Sequence, residues 1–138
     1  MNDEEYMHLA LELAQKGRGK VNPNPLVGAV IVKNGKIIGQ GYHERYGELH
    51  AERNAFKNLT ESAEGGTIYV TLEPCQMCAG ALQQAKIKKI VFGAKDYKNG
   101  ACGGLYDFFF IPKMNYYPLI SYLENDECLQ IIKEYFIK

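Results

Sequence analysis

One imidazole, two thiols and one spare carboxylate stand in two short motifs of this 138-residue chain: His50-Ala51-Glu52 and, after an extended stretch, Pro74-Cys75-Gln76-Met77-Cys78. Two thiolates balance the two charges of a zinc ion, and a neutral imidazole completes three protein ligands. Three ligands leave a fourth tetrahedral position for water. Zinc brings the pKa of such a water down to about 7. Cys75 and Cys78 are spaced to share one face of a helical turn. A helix opened by Pro74 places both sulfurs at its positive end, where thiolates are favoured. Glu52 follows His50 too closely to stack with it on one helix face. It is read instead as the carboxylate beside the water, moving a proton to a ring nitrogen and then to the departing amine. The parts suit hydrolytic removal of an exocyclic amine, with one zinc ion per chain on His50, Cys75 and Cys78, and with Glu52 as the catalytic proton shuttle.

Other chemistries use some of these parts. A lone Cys-x-x-Cys also serves as a redox pair, and a closed structural zinc site would take Cys102 or Cys128 as a fourth ligand. A zinc-stabilised binding module without turnover is a third class, against which the spare Glu52 speaks. In a reducing compartment Cys102 and Cys128 read as ordinary buried thiols.

Composition narrows the setting. With 46% hydrophobic and 23% charged residues the chain reads as one globular domain over residues 1–138. No apolar run approaches the roughly 20 residues a membrane helix needs, so no membrane partner is expected. Asp3, Glu4 and Glu5 stand where a signal peptide would be basic, and a cytoplasmic protein is the expectation. Sixteen basic and sixteen acidic residues cancel, which gives no general electrostatic footprint for nucleic acid.

These motifs need elements to hold them. Tyr6, Met7, Leu9, Ala10, Leu13 and Ala14 recur at helical spacing over residues 3–15. Asn22-Pro23-Asn24-Pro25 cannot continue that helix. Two β-rich runs, 27–32 and 36–41, are joined by Asn34-Gly35, a strong hairpin signal. A helix is expected over 50–59, a strand over 67–72, a helix from Pro74 to about 86 and a strand over 88–92. A long loop then runs from 95 to about 115, followed by a strand over 119–123. A last helix, capped by Asn125 or Asp126, ends near Phe136. A hairpin followed by alternating helices and strands implies one α/β domain with helices covering a mixed sheet.

At the His-x-Glu and Pro-Cys-x-x-Cys motifs the chain resembles the cytidine deaminase-like superfamily. The resemblance implies a three-layer α/β/α sandwich around a five-stranded mixed sheet, a zinc-bound water and a homo-oligomer. The stretches 71–82 and 93–101, and the ending around Cys128 and Tyr135-Phe136, are similar to bacterial tRNA adenosine deaminases. The stretches 22–28 and 41–54 resemble the pyrimidine deaminase domain of riboflavin biosynthesis. That second likeness implies that Asn24 and His43, with Ala51, bind the substrate. The first implies that Asp96 and Lys98 lie where RNA is touched. The chain lacks the Thr-Pro-Pro-Cys loop of the riboflavin enzymes and the basic tail of the tRNA enzymes. A small heterocycle, an aminopyrimidine nucleotide or a nucleoside, is the first expectation for substrate; the wobble adenosine of tRNA, flipped out of its loop, is the second. The run Phe108-Phe109-Phe110 is expected at a subunit interface, and His8 is expected to be structural or exposed.

Overall fold

The chain opens with a helix whose first turn closes on itself: Glu5 N–H donates to Asn2 Oδ1 at 2.9 Å while Asn2 N–H donates to the Glu5 carboxylate at 3.1 Å. This capping box satisfies two of the N–H groups that every helix start leaves without partners. The helix, α1, spans Asp3–Gln15. The computed structural model describes residues 1–21, 24–110, 112 and 116–137, with side chains to residue 134. Asn22, Pro23 and the Tyr135-Phe136 side chains, singled out in the sequence, lie outside the described residues.

Strands β1 (Gly28–Lys33) and β2 (Lys36–Tyr42) form the expected hairpin. Asn34 and Gly35 take φ of 53° and 73°, the left-handed pair that a two-residue turn between right-twisted strands needs. Helix α2 (Ala51–Lys57), strand β3 (Thr67–Val70), helix α3 (Gln76–Gln84) and strand β4 (Lys89–Phe92) follow. A 3-10 turn at Phe108–Phe110 interrupts the long loop before β5 (Leu119–Tyr122) and α4 (Asp126–Ile137). Asn125, rather than Asp126, caps the last helix, accepting Cys128 N–H at 3.0 Å.

The five strands make one mixed sheet in the order β2-β1-β3-β4-β5. β1 pairs antiparallel with β2 and β3, whereas β3–β4 and β4–β5 are parallel. Strand alternation sorts the core into two layers. Ala29, Ile31, Ile68, Val70, Ile90 and Phe92 pack with Ala51 and Ala55 of α2 and Ala79 and Leu82 of α3. Val30, Val32, Tyr69 and Val91 face Met7, Ala10 and Leu11 of α1 and Cys128 and Ile131 of α4. This is the three-layer α/β/α sandwich around a five-stranded mixed sheet. Among the described residues no helix is long and apolar enough to cross a membrane.

One local expectation changes. Pro74 does not open α3; Cys75 is its N-cap, with extended backbone at φ −77° and ψ 175°. The preceding proline is tied elsewhere: its carbonyl accepts Ala101 N–H at 2.9 Å, and Cys75 bridges to Gly100 across an antiparallel contact. The two cysteines therefore straddle the helix start, one at the cap and one in the first turn.

Candidate metal centre and substrate pocket

Helices α2 and α3 lie on the same face of the sheet and follow β2 and β3, which run in the same direction on either side of β1, so their N-termini lie at the same end of the sheet. His50 is the N-cap of α2 and Cys75 the N-cap of α3, and neither uses its side chain to cap its helix. Both side chains are free for other work. His50 Nδ1 lies 3.4 Å from Cys78 Sγ and 3.8 Å from Cys75 Sγ, and the three donor atoms all fall within 4.8 Å of one another. With Zn–N and Zn–S bonds of about 2.1 and 2.3 Å, tetrahedral geometry sets neighbouring donors roughly 3.6–3.8 Å apart. The donor set therefore fits zinc in both chemistry and spacing. Cys78 is buried and Cys75 half-buried, so the group has a protein side and an open side.

The charges at the site respond to one another. The Cys75 thiol is pulled down to about 4, first by the hydrogen bond from Cys78 and then by that from His50, against the opposing effect of burial. Cys78 is pushed far up by donating to Cys75 and by its own burial. The hydrogen bond to Cys75 raises His50. Glu52, in the first turn of α2, is only 4% exposed. Burial pushes its carboxyl up to about 7, and the negative Cys75 adds to the rise. Glu52 is the second residue of α2, and the Cys75 and Cys78 thiols both bear on its carboxyl.

A cavity of about 320 Å³ opens onto this group, within the size range of small-molecule sites. Its wall includes His50, Ala51, Glu52 and Cys75, and also Asn24, His43 and Asp96. His43 is buried at the end of β2, and its two ring nitrogens are both engaged. Nδ1 lies 3.1 Å from the Leu49 carbonyl, which only accepts, so this nitrogen carries the proton. Nε2 is then the acceptor for the Asn24 amide at 3.1 Å. That contact turns the Asn24 amide so that its nitrogen faces the histidine. Asn54 braces the same loop, donating to the carbonyls of Tyr42 at 2.8 Å and Leu49 at 3.3 Å.

The remaining sequence candidates separate. Asp96 reaches the cavity wall, while Lys98 is exposed and its N–H caps the Asp96 carboxylate at 3.0 Å. His8 faces solvent beside Glu12, as expected. Cys102 and Cys128 are buried thiols whose burial raises both above the ordinary range, and neither belongs to the metal-ligating group. Sequence reasoning missed Asn99, at the cavity mouth, and Glu73, in its wall. Glu73 stands directly before the Pro-Cys motif; a carboxylate there carries no local sign that it will be buried.

A family model for the cytidine and deoxycytidylate deaminase zinc-binding region matches residues 1–94. The chain belongs to that deaminase family. Relatives of this zinc-binding deaminase domain include two kinds of enzyme. The riboflavin biosynthesis protein RibD of Actinobacillus pleuropneumoniae is 50% identical over 70% of the chain, which spans 27% of that protein's length. The diaminohydroxyphosphoribosylamino-pyrimidine deaminase of Buchnera aphidicola is 44% identical, over 70% of the chain and 69% of its own length. The tRNA-specific adenosine deaminase of Haemophilus influenzae is 42% identical, over 99% of the chain and 84% of its own length. Among solved structures, RibD of Acinetobacter baumannii superposes with a TM-score of 0.84 at 35% identity, covering 98% of the chain and 39% of RibD. Both halves of the sequence thus have counterparts, in the two groups the motifs resemble.

Proposed function

We propose that this deaminase-family protein is a zinc-dependent hydrolase that removes an exocyclic amine, as ammonia, from a small aminopyrimidine nucleotide or nucleoside, within one domain spanning residues 1–138. The observation that carries this reading is the Asn24–His43 pair, set in the wall of the same cavity as His50, Cys75 and Glu52. The wall carries the carboxyl groups of Glu52 and Asp96, with that of Glu73 turned to backbone donors, and, among the described residues, no lysine or arginine. Such a lining suits a ring rich in N–H donors and leaves a substrate's phosphate outside the cavity. The Buchnera relative, named for a diaminated pyrimidine, accords with that chemistry.

His50 through Nδ1, with Cys75 and Cys78 through their thiolates, would hold one zinc ion. When bound, zinc lowers the pKa of water, so that hydroxide is available at neutral pH. Glu52 accepts the first proton that the attacking water loses and delivers it to the adjacent ring nitrogen; it then takes the second proton from the hydroxyl newly bonded to carbon and carries it to the amine, as the C–N bond breaks and that oxygen becomes the carbonyl. Water is consumed and ammonia leaves, so the balance closes. A carboxyl raised toward neutral pH by burial exchanges protons readily in both directions. Asn24, its amide set by neutral His43, and Ala51, in the cavity wall, bind and orient the ring.

A second reading is deamination of the wobble adenosine of tRNA. It is favoured by the alignment with the tRNA-specific deaminase over nearly the whole chain and by Asp96 at the cavity, with Lys98 exposed beside it. We further propose a cytoplasmic homodimer, supported by the exposed Met77 on α3 and Phe110 on the neighbouring 3-10 turn; light scattering of the zinc-loaded protein tests it.

The deciding experiment is ammonia release by the zinc-loaded protein, offered aminopyrimidine ribotides, free nucleosides and an adenosine-wobble stem-loop in parallel. Turnover of a small heterocycle is expected. Release from the stem-loop alone would reverse the order of the two readings, and release from none would leave a zinc-stabilised binding module.

A further inference from the structure

Glu73 is a buried charge that the deamination chemistry does not use. It is 3% exposed, three residues beyond β3 and two before Cys75. Its carboxylate is filled by the backbone of a single loop. Oε1 accepts Asp96 N–H at 3.1 Å, while Oε2 accepts Cys102 N–H at 2.8 Å and Gly104 N–H at 2.7 Å. The loop has made room for this. A Cβ at Gly100 or Gly104 would collide with the Glu73 carboxylate, so both positions admit only glycine without a shift. A backbone ring of donors around one carboxylate is a strong arrangement, because hydrogen bonds to a charged acceptor are shorter and about twice as strong as neutral ones.

The loop so gathered carries cavity residues. Asp96 and Asn99 line the mouth, and Asp96 in turn accepts Lys98 N–H and Asn99 N–H, both at 3.0 Å, which sets the turn that presents Asn99. From the other side, the Pro74 carbonyl and Cys75 reach the same loop at Ala101 and Gly100. One short segment, residues 73–75, therefore holds both a candidate metal ligand and the loop that supplies Asp96 and Asn99 to the cavity wall.

We propose that Glu73 is a positioning residue for substrate recognition: its carboxylate fixes the 96–104 loop, and with it Asp96 and Asn99, at a set distance from the metal ligands. This rests on the deaminase reading of the cavity, and its consequence is a split in the kinetics. Glu73→Gln keeps the side chain's shape but turns an amide N–H₂ toward N–H donors of the loop. The variant should keep one zinc per chain and most of kcat, while KM for the substrate turned over by the parent protein rises by about 10-fold, the size expected for losing charge-assisted hydrogen bonds. A merely structural loss would lower the active fraction, reducing kcat and leaving KM in place.

Gly104→Ala attacks the same contact from the loop side, its methyl group displacing the Glu73 carboxylate while residue 73 stays glutamate, and keeps the test available if Glu73→Gln does not fold. The two changes together should cost little more in KM than either alone. Amide hydrogen exchange gives a readout independent of activity. In either variant the amides of Asp96, Cys102 and Gly104 should exchange faster, while those of β1, β3 and β4 keep their protection. Unchanged KM at full zinc, or unchanged exchange in the loop, overturns the proposal. If the parent protein deaminates nothing, the catalytic reading falls, and the exchange comparison alone decides whether Glu73 holds the loop.

Discussion

At the scale of single residues, this site divides its work among groups that look alike in composition but sit in different surroundings. Glu52 and Glu73 are both buried carboxylates in one cavity wall. Glu73 is saturated by three backbone N–H groups, whereas Glu52 faces the metal-ligating thiols and is pushed toward neutral pH by burial. Only the second is equipped to move protons. Glu52→Ala should therefore retain stoichiometric zinc and lose about 10²- to 10⁴-fold in kcat, measured as ammonia release beside elemental analysis; near-parental turnover would refute the assigned role. Cys75→Ala should lose bound zinc and lower Tm by about 5 °C or more, because metal binding contributes to folding. Chelator should lower Tm of the parent protein and leave that variant unmoved. Cys75 and Cys78 were legible as a pair from spacing alone. That His50 turns Nδ1 toward the two thiols, and that its hydrogen bond lowers Cys75, depends on distances the sequence does not contain.

At the scale of elements, the convergence of two helix starts on one point rests on how closely α2 can approach the hairpin. Gly41 makes that approach possible: a Cβ there would stand 2.5 Å from Ala55 N and 2.7 Å from the Asn54 carbonyl carbon. Gly41→Ala should push α2 away from β2 at a cost of about 1–3 kcal/mol, read as a lowered denaturation midpoint. Since α2 carries both His50 and Glu52, zinc affinity should fall with it; a variant of parental stability and affinity would show that the contact is slack. The elements themselves were readable because their signals are local. Asn34-Gly35 marked the hairpin, the β-rich runs 27–32 and 67–72 marked β1 and β3, and the helical spacing in 3–15 marked α1. The start of α3 was misplaced by two residues, since Pro74 spends its carbonyl on Ala101, a partner far along the chain.

At the scale of the whole molecule, long-range polar ties join the layers. The Tyr69 hydroxyl, in the centre of the sheet, donates to Asp3 Oδ1 at 2.5 Å and so pins the first turn of α1. Burial, then the hydrogen bond to Asp3, raises the Tyr69 phenol above its ordinary range. A raised phenol favours the folded state fully below pH about 10, where the unfolded chain is also neutral. Above that pH the unfolded chain ionises first, and this contribution is lost as pH rises through the folded value. Tyr69→Phe should thus be less stable than the parent at pH 7–9, with the gap narrowing above pH 10 in denaturant titrations. A gap that stays constant to pH 11 would show that the phenol's ionisation plays no part.

The sequence by itself determined the donor set, the spacing that puts two cysteines on one turn, the hairpin and the α/β class, because residue types, short motif spacings and the order of local elements are written along the chain. Only the tertiary structure decided that Asn24 meets His43, that a loop some thirty residues on closes around Glu73, and that both features line one cavity with His50 and Cys75. Such meetings follow from strand order, register and the path of loops, and those are set by packing the whole core at once rather than by any local pattern.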